Sequence, residues 1–165
     1  MAKKYVYHFS EAYGLGKELL GGKGAGLAEM THIGIPIPQG FTVSTEACTL
    51  YYESGKQLPE YLVEEIKNAI HAIEAESGKN FGGDSKPLLV SVRSGARVSM
   101  PGMMDTILNL GLNDKTAAVL AKETNNERFA FDSYRRFILM FTNIAKGHPR
   151  TEMDKMLEEL KEEKG

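Results

Sequence analysis

Hydrophobic and polar positions divide the chain into two regions with different periodicities. Up to about residue 112, short apolar runs alternate with amphipathic stretches, and the runs near residues 5, 41, 89 and 107 have the character of strands. After residue 112 only the spacing of amphipathic helices recurs. The pattern predicts an α+β fold. A small mixed sheet flanked by helices (residues 1–112) is followed by an all-helical segment (residues 113–165), which we interpret as a truncated subdomain.

The helices are predicted from apolar side chains that recur every three or four residues. One clear amphipathic helix runs from Pro59 to about Glu74, and the strongest pattern of the chain runs from Glu127 to Lys146. A shorter helix ends near Glu53, with Ser44 or Thr45 as its amino-terminal cap. The remaining predicted helices follow the glycine cluster at residues 21–26, run from Asn113 to about Thr124, and start at Thr151.

The stretch from Leu88 to Leu112 has the most unusual composition of the chain. Its two apolar runs, Leu88–Val92 and Thr106–Leu110, are predicted to be strands, and a polar, glycine-rich surface loop (residues 78–86) precedes them. The connecting residues 93–105 contain two arginines, two serines, two glycines and three methionines. This composition suits a loop that closes over an anion with a flat apolar body attached, because guanidinium groups match phosphate oxygens and thioethers adapt to aromatic faces. Core packing is the more frequent role of methionine.

The glycine-rich segment around Lys23 is the first candidate site. Gly21, Gly22 and Gly24 allow the backbone to approach a ligand closely, and the helix that follows presents its positive amino end to an anion. Lys23 adds a mobile full charge suited to a phosphate. The spacing departs from the Walker pattern, which requires a glycine in place of Lys17 and a hydroxyl in place of Gly24. A flexible turn with a solvated lysine is the alternative interpretation.

Arg93 is the second candidate, because it directly follows an apolar strand, where open α/β sheets place ligand contacts. Its planar fork of donors matches phosphate oxygens, and Arg97 follows four residues later. The alternative is a strand-end arginine paired with a surface carboxylate. Ser94 and Ser99 can donate hydrogen bonds to phosphate oxygens. Asp105 is interpreted either as a metal ligand or as an anchor of the loop.

Charge and cysteine usage narrow the class of protein. The net charge of −2 over 165 residues gives no general attraction to nucleic acid. No apolar run approaches the ~18 residues of a membrane span, and the first residues lack the apolar core of a signal peptide. The single cysteine, Cys48, fits a reducing compartment, and its place beside Ala47 in a predicted helix favours a buried, inert thiol. We expect a cytoplasmic protein that binds neither nucleic acid nor membranes. The histidines have no metal-ligand spacing, so no metal site is predicted.

Several motifs, taken in order along the chain, resemble one known family. They are Leu20-Gly-Gly-Lys-Gly24 with Leu27-Ala-Glu-Met30, Gly34-Ile-Pro-Ile-Pro-Gln-Gly-Phe-Thr-Val43, Leu89-Val-Ser-Val-Arg-Ser-Gly-Ala-Arg97, Ser99-Met-Pro-Gly-Met-Met-Asp-Thr-Ile-Leu-Asn-Leu-Gly-Leu-Asn113 and Asp132-Ser-Tyr-Arg-Arg-Phe137. Together they resemble the amino-terminal part of the pyruvate, phosphate dikinase family over residues 4 to about 145. Related dikinases, such as phosphoenolpyruvate synthase and the glucan dikinases, resemble the first motif and the Val-Arg-Ser core but do not carry the Ser-Met-Pro-Gly-Met-Met-Asp run.

The resemblance implies the first lobe of an ATP-grasp-type nucleotide-binding domain. The enzyme of this family converts ATP, phosphate and pyruvate to AMP, pyrophosphate and phosphoenolpyruvate. By resemblance, Lys23 and Arg93 contact the ATP phosphates. The resemblance also implies a lid loop that closes over the nucleotide, formed by Ser94, Gly95, Ala96, Arg97, Ser99, Met100, Gly102, Met103 and Asp105.

The resemblance also implies that parts of the family's machinery lie outside these 165 residues. They are the protein ligands of the Mg²⁺ that accompanies ATP, a phosphohistidine on a swivelling domain, and a barrel that binds pyruvate. We therefore expect an incomplete catalytic set, an inactive isolated chain, and the remaining domains as partners in a homodimeric enzyme. Two alternatives stay open: a stand-alone nucleotide-binding or regulatory module without catalysis, and a structural domain whose methionines form a protein interface.

Overall fold

The computed structural model describes residues 3–95 and 105–164, which form two compact units. The first unit contains residues 3–78 with residues 94 and 95, and the second contains residues 79–93 with residues 105–164. Each unit combines helices with two-stranded β-sheets, so the predicted α+β class is confirmed. The predicted division of the sequence at residue 112 stays a prediction.

The first unit builds one two-stranded sheet and packs helices around it. Its described elements, in chain order, are β1 (Val6–His8), α1 (Gly16–His32), β2 (Phe41–Val43), α2 (Thr45–Glu53) and α3 (Glu60–Ser77). The two strands pair antiparallel, with Tyr7 opposite Thr42. The long α1 connects them, and α2 follows β2 after a single residue, Ser44.

Carboxylate side chains bind the backbone donors of β1 that do not face β2. The N–H of Val6 donates to Glu65 Oε1 at 2.9 Å, and the N–H of His8 donates to Glu11 Oε1 at 2.8 Å. A further strand on this edge would need the same donors. The strands predicted near residues 5 and 41 therefore form a separate two-stranded sheet, whereas the sequence predicts one small mixed sheet that also includes the strands near residues 89 and 107.

The core of the first unit forms where α2 and α3 contact β1. Its buried residues are Tyr5, Val6, Ala47, Leu62 and Ala69. Leu62 of α3 is 0% exposed, and full burial of such a side chain stabilises the fold by about 1.5–3 kcal/mol. The amphipathic helix predicted from Pro59 to Glu74 is confirmed as α3, which extends one turn further.

The second unit holds the other two described sheets and the later helices. Its elements, in chain order, are β3 (Asn80–Phe81), β4 (Pro87–Leu88), β5 (Val90–Arg93), β6 (Thr106–Leu110), α4 (Asp114–Thr124), α5 (Glu127–Met140), a π-helix (Phe141–Ala145) and α6 (Arg150–Lys164). β3 and β4 pair in parallel, whereas β5 and β6 pair antiparallel.

The prediction of one continuous strand over Leu88–Val92 is wrong, because the run is interrupted at Leu89. Its first part is β4, which pairs with a strand inside the predicted surface loop, and its second part is β5, which pairs with β6. Gly111 contributes to this arrangement. Its φ is 114°, and an added Cβ would lie 2.5 Å from the carbonyl oxygen of Leu88. The backbone therefore approaches Leu88 at a distance that only glycine permits.

The amino-terminal ends of α4 and α2 are capped differently. Asn113 caps α4 as part of a capping box: its side chain accepts from the N–H of Thr116 at 2.9 Å, and its own N–H donates to Thr116 Oγ1 at 2.7 Å. Ser44 occupies the cap position of α2 but makes no capping hydrogen bond, and its buried Oγ has no hydrogen-bond partner among the described residues. The cap predicted from sequence at Ser44 is therefore a position without the expected bond.

The helix predicted from Glu127 to Lys146 forms, with a change of winding near its end. It is α-helical to Met140 and continues as a π-helix over Phe141–Ala145. The wider turn changes which side chains share a face with the preceding apolar stripe. α6, also predicted, has no buried side chain, and its Met156 is 64% exposed.

The predicted burial of Cys48 is wrong. Ala47 is buried, but its neighbour Cys48 is exposed. Successive residues of a helix point about 100° apart, so one faces the core and the next faces solvent.

Across the described residues, no helix combines the length and apolar character needed to cross a membrane.

Candidate functional site

The glycine-rich segment lies inside α1. The helix begins at Gly16 and is interrupted at Gly21, whose φ of 70° and ψ of 169° are non-helical. Glycine adopts such a positive φ readily, which explains the residue type at the kink. The kink divides α1 into residues 16–20 and residues 22–32. The prediction that the helix starts only after the glycines is therefore wrong, because the second segment already contains Gly22, Gly24 and Gly26. Only its later residues lie where the pattern predicted a helix.

Lys23 is the second residue of the segment that follows the kink. Its Nζ donates a hydrogen bond to the carbonyl oxygen of Ser94 at 3.3 Å. Ser94 is the first residue of the predicted lid loop, and both residues belong to the first unit. An ammonium group carries three donors, so this contact leaves two. The lysine is half-buried and bonded to the backbone, which argues against the alternative of a solvated side chain in a flexible turn.

The glycines around Lys23 have different structural reasons. A Cβ added at Gly24 would lie 2.8 Å from both Cγ2 and Oγ1 of Thr42 on β2, so α1 and β2 pack too closely for a side chain there. A Cβ added at Gly26 would meet nothing within 4 Å. Packing against Thr42 is therefore enough to explain the glycine at position 24, without the close approach of a ligand that the sequence predicts.

A threonine of α2 contacts α1 on the other side of the kink. Thr45 Oγ1 donates a hydrogen bond of 2.6 Å to the carbonyl oxygen of Glu18. This carbonyl belongs to the short first segment of α1, which ends at the kink. Thr42 and Thr45 therefore hold α1 after and before Lys23. Sequence reasoning treated Thr45 only as a cap and missed Thr42, because neither contact leaves a local pattern in the sequence.

Arg93 is the last residue of β5 and lies opposite Thr106 in the register with β6. It is exposed, and its neighbour Val92 is 48% exposed. Among the described residues, its guanidinium makes neither an ion pair nor a hydrogen bond. Pairing with a surface carboxylate, the alternative interpretation, is thus absent from this part of the chain.

Only the two ends of the predicted lid loop belong to the described residues. Ser94 and Gly95 are exposed at its start, and Asp105 is exposed directly before β6. A Cβ added at Gly95 would meet nothing within 4 Å, so the adjacent space is open. The other predicted lid residues lie outside the described residues; they are Ala96, Arg97, Ser99, Met100, Gly102 and Met103.

The arginine pair of α5 is engaged with its own helix. Arg135 Nη2 lies 2.6 Å and Arg136 Nε 2.7 Å from the two carboxylate oxygens of Asp132. The hydrogen bond from Arg135, followed by that from Arg136, holds the pKa of Asp132 below its ordinary value. The two arginines are thus less suited than Arg93 to receive a phosphate.

Within residues 3–95 and 105–164, no three His, Cys, Asp or Glu side chains converge into a group that can hold a metal ion. Around Lys23 the contacting groups are an ammonium and a backbone carbonyl. These groups do not fit Mg²⁺, which prefers several oxygen ligands including carboxylates.

Comparison with known proteins relates the chain to one family. Residues 17–57 and 54–138 match the family described as pyruvate phosphate dikinase, AMP/ATP-binding domain. The pyruvate, phosphate dikinase of Entamoeba histolytica is 59% identical over 160 residues, which are 97% of this chain and 18% of that protein. That of Clostridium symbiosum is 57% identical over 162 residues (98% and 18%), and the chloroplastic pyruvate, phosphate dikinase 1 of Zea mays is 54% identical over 167 residues (99% and 18%). The chain thus spans about a fifth of the length of these relatives.

Proposed function

We propose that this chain, which belongs to the family of the pyruvate phosphate dikinase AMP/ATP-binding domain, binds the phosphates of ATP as one part of a pyruvate, phosphate dikinase. The whole enzyme would convert ATP, phosphate and pyruvate to AMP, pyrophosphate and phosphoenolpyruvate through a phosphohistidine on another domain. Both candidate cations, Lys23 and Arg93, fall within the matched residues. The chain spans only 18% of its relatives, so we propose that it does not catalyse the reaction alone.

One observation carries the proposal. The Lys23 ammonium stands in the first turn after a glycine kink and donates to the carbonyl of Ser94, at the start of the predicted lid. A helix start favours negative charge, and a full positive charge beside it adds to that preference. Phosphoryl transfer depends mainly on positioning and on stabilising charge. We propose that Lys23 binds phosphate oxygens with its two remaining donors.

Arg93 is proposed as the second phosphate ligand. Its guanidinium is exposed at the end of β5 and unpaired among the described residues, so binding a phosphate would break no existing ion pair. A guanidinium binds phosphate in a bidentate manner, with defined geometry. We propose that the residues from Ser94 to Asp105 then close over the nucleotide as a lid, in an ATP-grasp-type site.

The remaining parts of the site are proposed to come from outside this chain. We propose that Mg²⁺ arrives with the ATP phosphates and that its protein ligands lie in the rest of the enzyme, because the donors around Lys23 do not suit it. The partners would be the nucleotide and the other domains of a homodimeric dikinase. The lone Cys48 is compatible with a reducing, cytoplasmic location.

Titration with ATP tests the proposal. Amide chemical shifts of the ¹⁵N-labelled chain are followed as ATP is added, for the unchanged chain and for Lys23→Met and Arg93→Met. Loss of a charged hydrogen bond costs about 1.5–3 kcal/mol, so each variant is expected to bind ATP about ten- to a hundredfold more weakly. Lys17→Met and Arg128→Met are the matched controls, since both side chains are exposed and no described contact links them to the candidate site.

Two results would contradict the proposal. One is the absence of any ATP-dependent shift near Lys23 in the unchanged chain. The other is equal affinity in Lys23→Met and Lys17→Met. Formation of AMP from ATP in the presence of pyruvate by the isolated chain would contradict the separate proposal that it is inactive alone.

A further inference from the structure

We infer that Thr45 is a positioning residue for phosphate binding and acts by fixing the α1 kink that places Lys23. The inference rests on the proposed function, because it assigns a residue that acts through Lys23. Thr45 itself is not placed in contact with the ligand. Its hydroxyl bonds the carbonyl of Glu18, five residues before Lys23 in the chain and across the kink at Gly21.

The first step concerns the short segment of α1 before the kink. This segment is only five residues long, from Gly16 to Leu20, so it has little helical stability of its own. The 2.6 Å hydrogen bond from Thr45 to the carbonyl oxygen of Glu18 ties the segment to α2. The bent form of α1 is thereby favoured over a straight or frayed one.

The second step concerns what the bend does to Lys23. The kink starts a new helix segment at Gly22, which places Lys23 in a first turn, where backbone N–H groups point outward. On the far side, the close contact between Gly24 and Thr42 fixes the segment against β2. Lys23 therefore stands between two contacts that come from one short stretch, residues 42–45. Thr42 packs against the segment that carries Lys23, and Thr45 bonds the segment before the kink.

The third step concerns the size of the effect. If only the bent form presents Lys23 and the N–H groups correctly, the apparent affinity for phosphate scales with the fraction of chains in that form. One neutral hydrogen bond shifts such an equilibrium by roughly three- to tenfold. Removal of the Thr45 hydroxyl is therefore expected to weaken ATP binding by about three- to tenfold, less than the loss of Lys23 itself.

The variants are Thr45→Val, which removes the hydroxyl and keeps the shape, and Thr45→Ser, which keeps the hydroxyl. Thr49→Val is the matched control, because Thr49 lies one turn later on α2. Among the described residues, its hydroxyl contacts the backbone carbonyl of Thr45 at 3.5 Å and makes no bond to α1. The affinities for ATP and for adenosine are measured by calorimetry and amide shifts on the 165-residue chain. Urea unfolding and the amide spectrum check that each variant is folded.

The expected result is a selective loss. Thr45→Val weakens ATP by about three- to tenfold and leaves adenosine unchanged, because adenosine has no phosphate for Lys23 to bind. Thr45→Ser and Thr49→Val bind ATP like the unchanged chain. In the Lys23→Met background, Thr45→Val has almost no further effect, since the two residues act as one unit.

Other results overturn the inference. Equal losses for ATP and adenosine would indicate a general structural role, and additive effects of Thr45→Val and Lys23→Met would remove the link to Lys23. If Lys23→Met itself leaves ATP affinity unchanged, the proposed function fails. If Lys23→Met weakens ATP and Thr45→Val does not, the inference alone fails. Should Thr45→Val be unfolded, Thr45→Ala is compared with Thr45→Ser in the same cycle and decides by the same criteria.

Discussion

The two candidate phosphate ligands differ in how the fold holds them. Lys23 follows a helix kink, and its ammonium donates to the carbonyl of Ser94. Before it in the chain, Thr45 bonds Glu18, and after it Gly24 packs against Thr42. Arg93 ends an exposed strand, and among the described residues nothing bonds its guanidinium. The lysine side chain is therefore held in place before any ligand binds, whereas no contact with a described residue holds the arginine guanidinium.

This difference separates two ways of contributing to affinity. A side chain that is already ordered loses little conformational entropy on binding. An exposed arginine loses up to about 2 kcal/mol of rotamer freedom when it becomes fixed, which offsets part of its strong bidentate contact. We therefore propose that Lys23 sets where a phosphate binds and that Arg93 adds affinity at a cost in side-chain entropy.

The largest effect is expected from a substitution that disturbs the packing beside β5, the strand that carries Arg93. Gly111→Ala places a Cβ 2.5 Å from the carbonyl oxygen of Leu88 at a φ of 114°, and a backbone oxygen cannot rotate away. We expect the free energy of unfolding of the second unit to fall by about 2–4 kcal/mol. Hydrogen exchange of β5 and β6 amides measures the loss within that unit.

The control for Gly111 is Gly147→Ala. Gly147 has a φ of 72°, but a Cβ there would meet nothing within 4 Å. Gly147→Ala therefore tests backbone strain alone, and we expect it to lower the free energy of unfolding by about 1 kcal/mol. Equal effects of the two substitutions would show that the close approach to Leu88 is not what holds β5 in place.

A smaller effect is expected on the side of Lys23. Gly24→Ala forces a Cβ within 2.8 Å of the Thr42 side chain, which can partly adjust, so we expect a loss of about 1–2 kcal/mol in the free energy of unfolding. Gly26→Ala, two residues further on the same helix, meets nothing within 4 Å and should stabilise by about 0.5–1 kcal/mol, because alanine favours a helix. Urea unfolding compares the two, and the same sign for both would contradict the packing argument.

The smallest effect concerns arginines that already have a partner. Hydrogen bonds from Arg135 and then Arg136 lower the pKa of Asp132 from its ordinary 3.8. A lowered pKa means that these contacts stabilise the fold fully above pH 3.8, and that their contribution is lost as the pH falls through the lower folded value. We expect Arg135→Gln to raise the pKa of Asp132 toward 3.8, as measured by carboxyl NMR titration. Arg93→Gln should leave the pKa of Asp132 unchanged. A shifted pKa of Asp132 in this variant would contradict the description of Arg93 as unpaired among the described residues.

The sequence predicted the elements well where the signal is local. The spacing of apolar residues located α3, α4 and most of α5, and the residues around Asn113 contain the donors and acceptors of a capping box within four positions. The identity of Lys23 and Arg93 as candidates also came from local composition. For the helices and the capping box, the deciding interactions lie within a few residues along the chain.

What the sequence did not predict depends on contacts between distant residues. The break at Leu89 arises because β4 and β5 pair with different strands, and an all-apolar run carries no mark of its partner. The kink at Gly21 was read as a loop, since a glycine cluster alone does not tell a turn from a bent helix. The bond from Thr45 to Glu18 spans 27 residues of sequence, so no motif reports it.

The exposure of Cys48 has a practical consequence for following α1 in solution. It is the single thiol of the chain and lies three residues after Thr45, on the same side of α2. A maleimide dye would therefore attach at one defined position of the unaltered sequence, next to the residue that bonds across the kink. Fluorescence from that dye offers a direct optical signal of whether α1 straightens or stays bent as nucleotide is added.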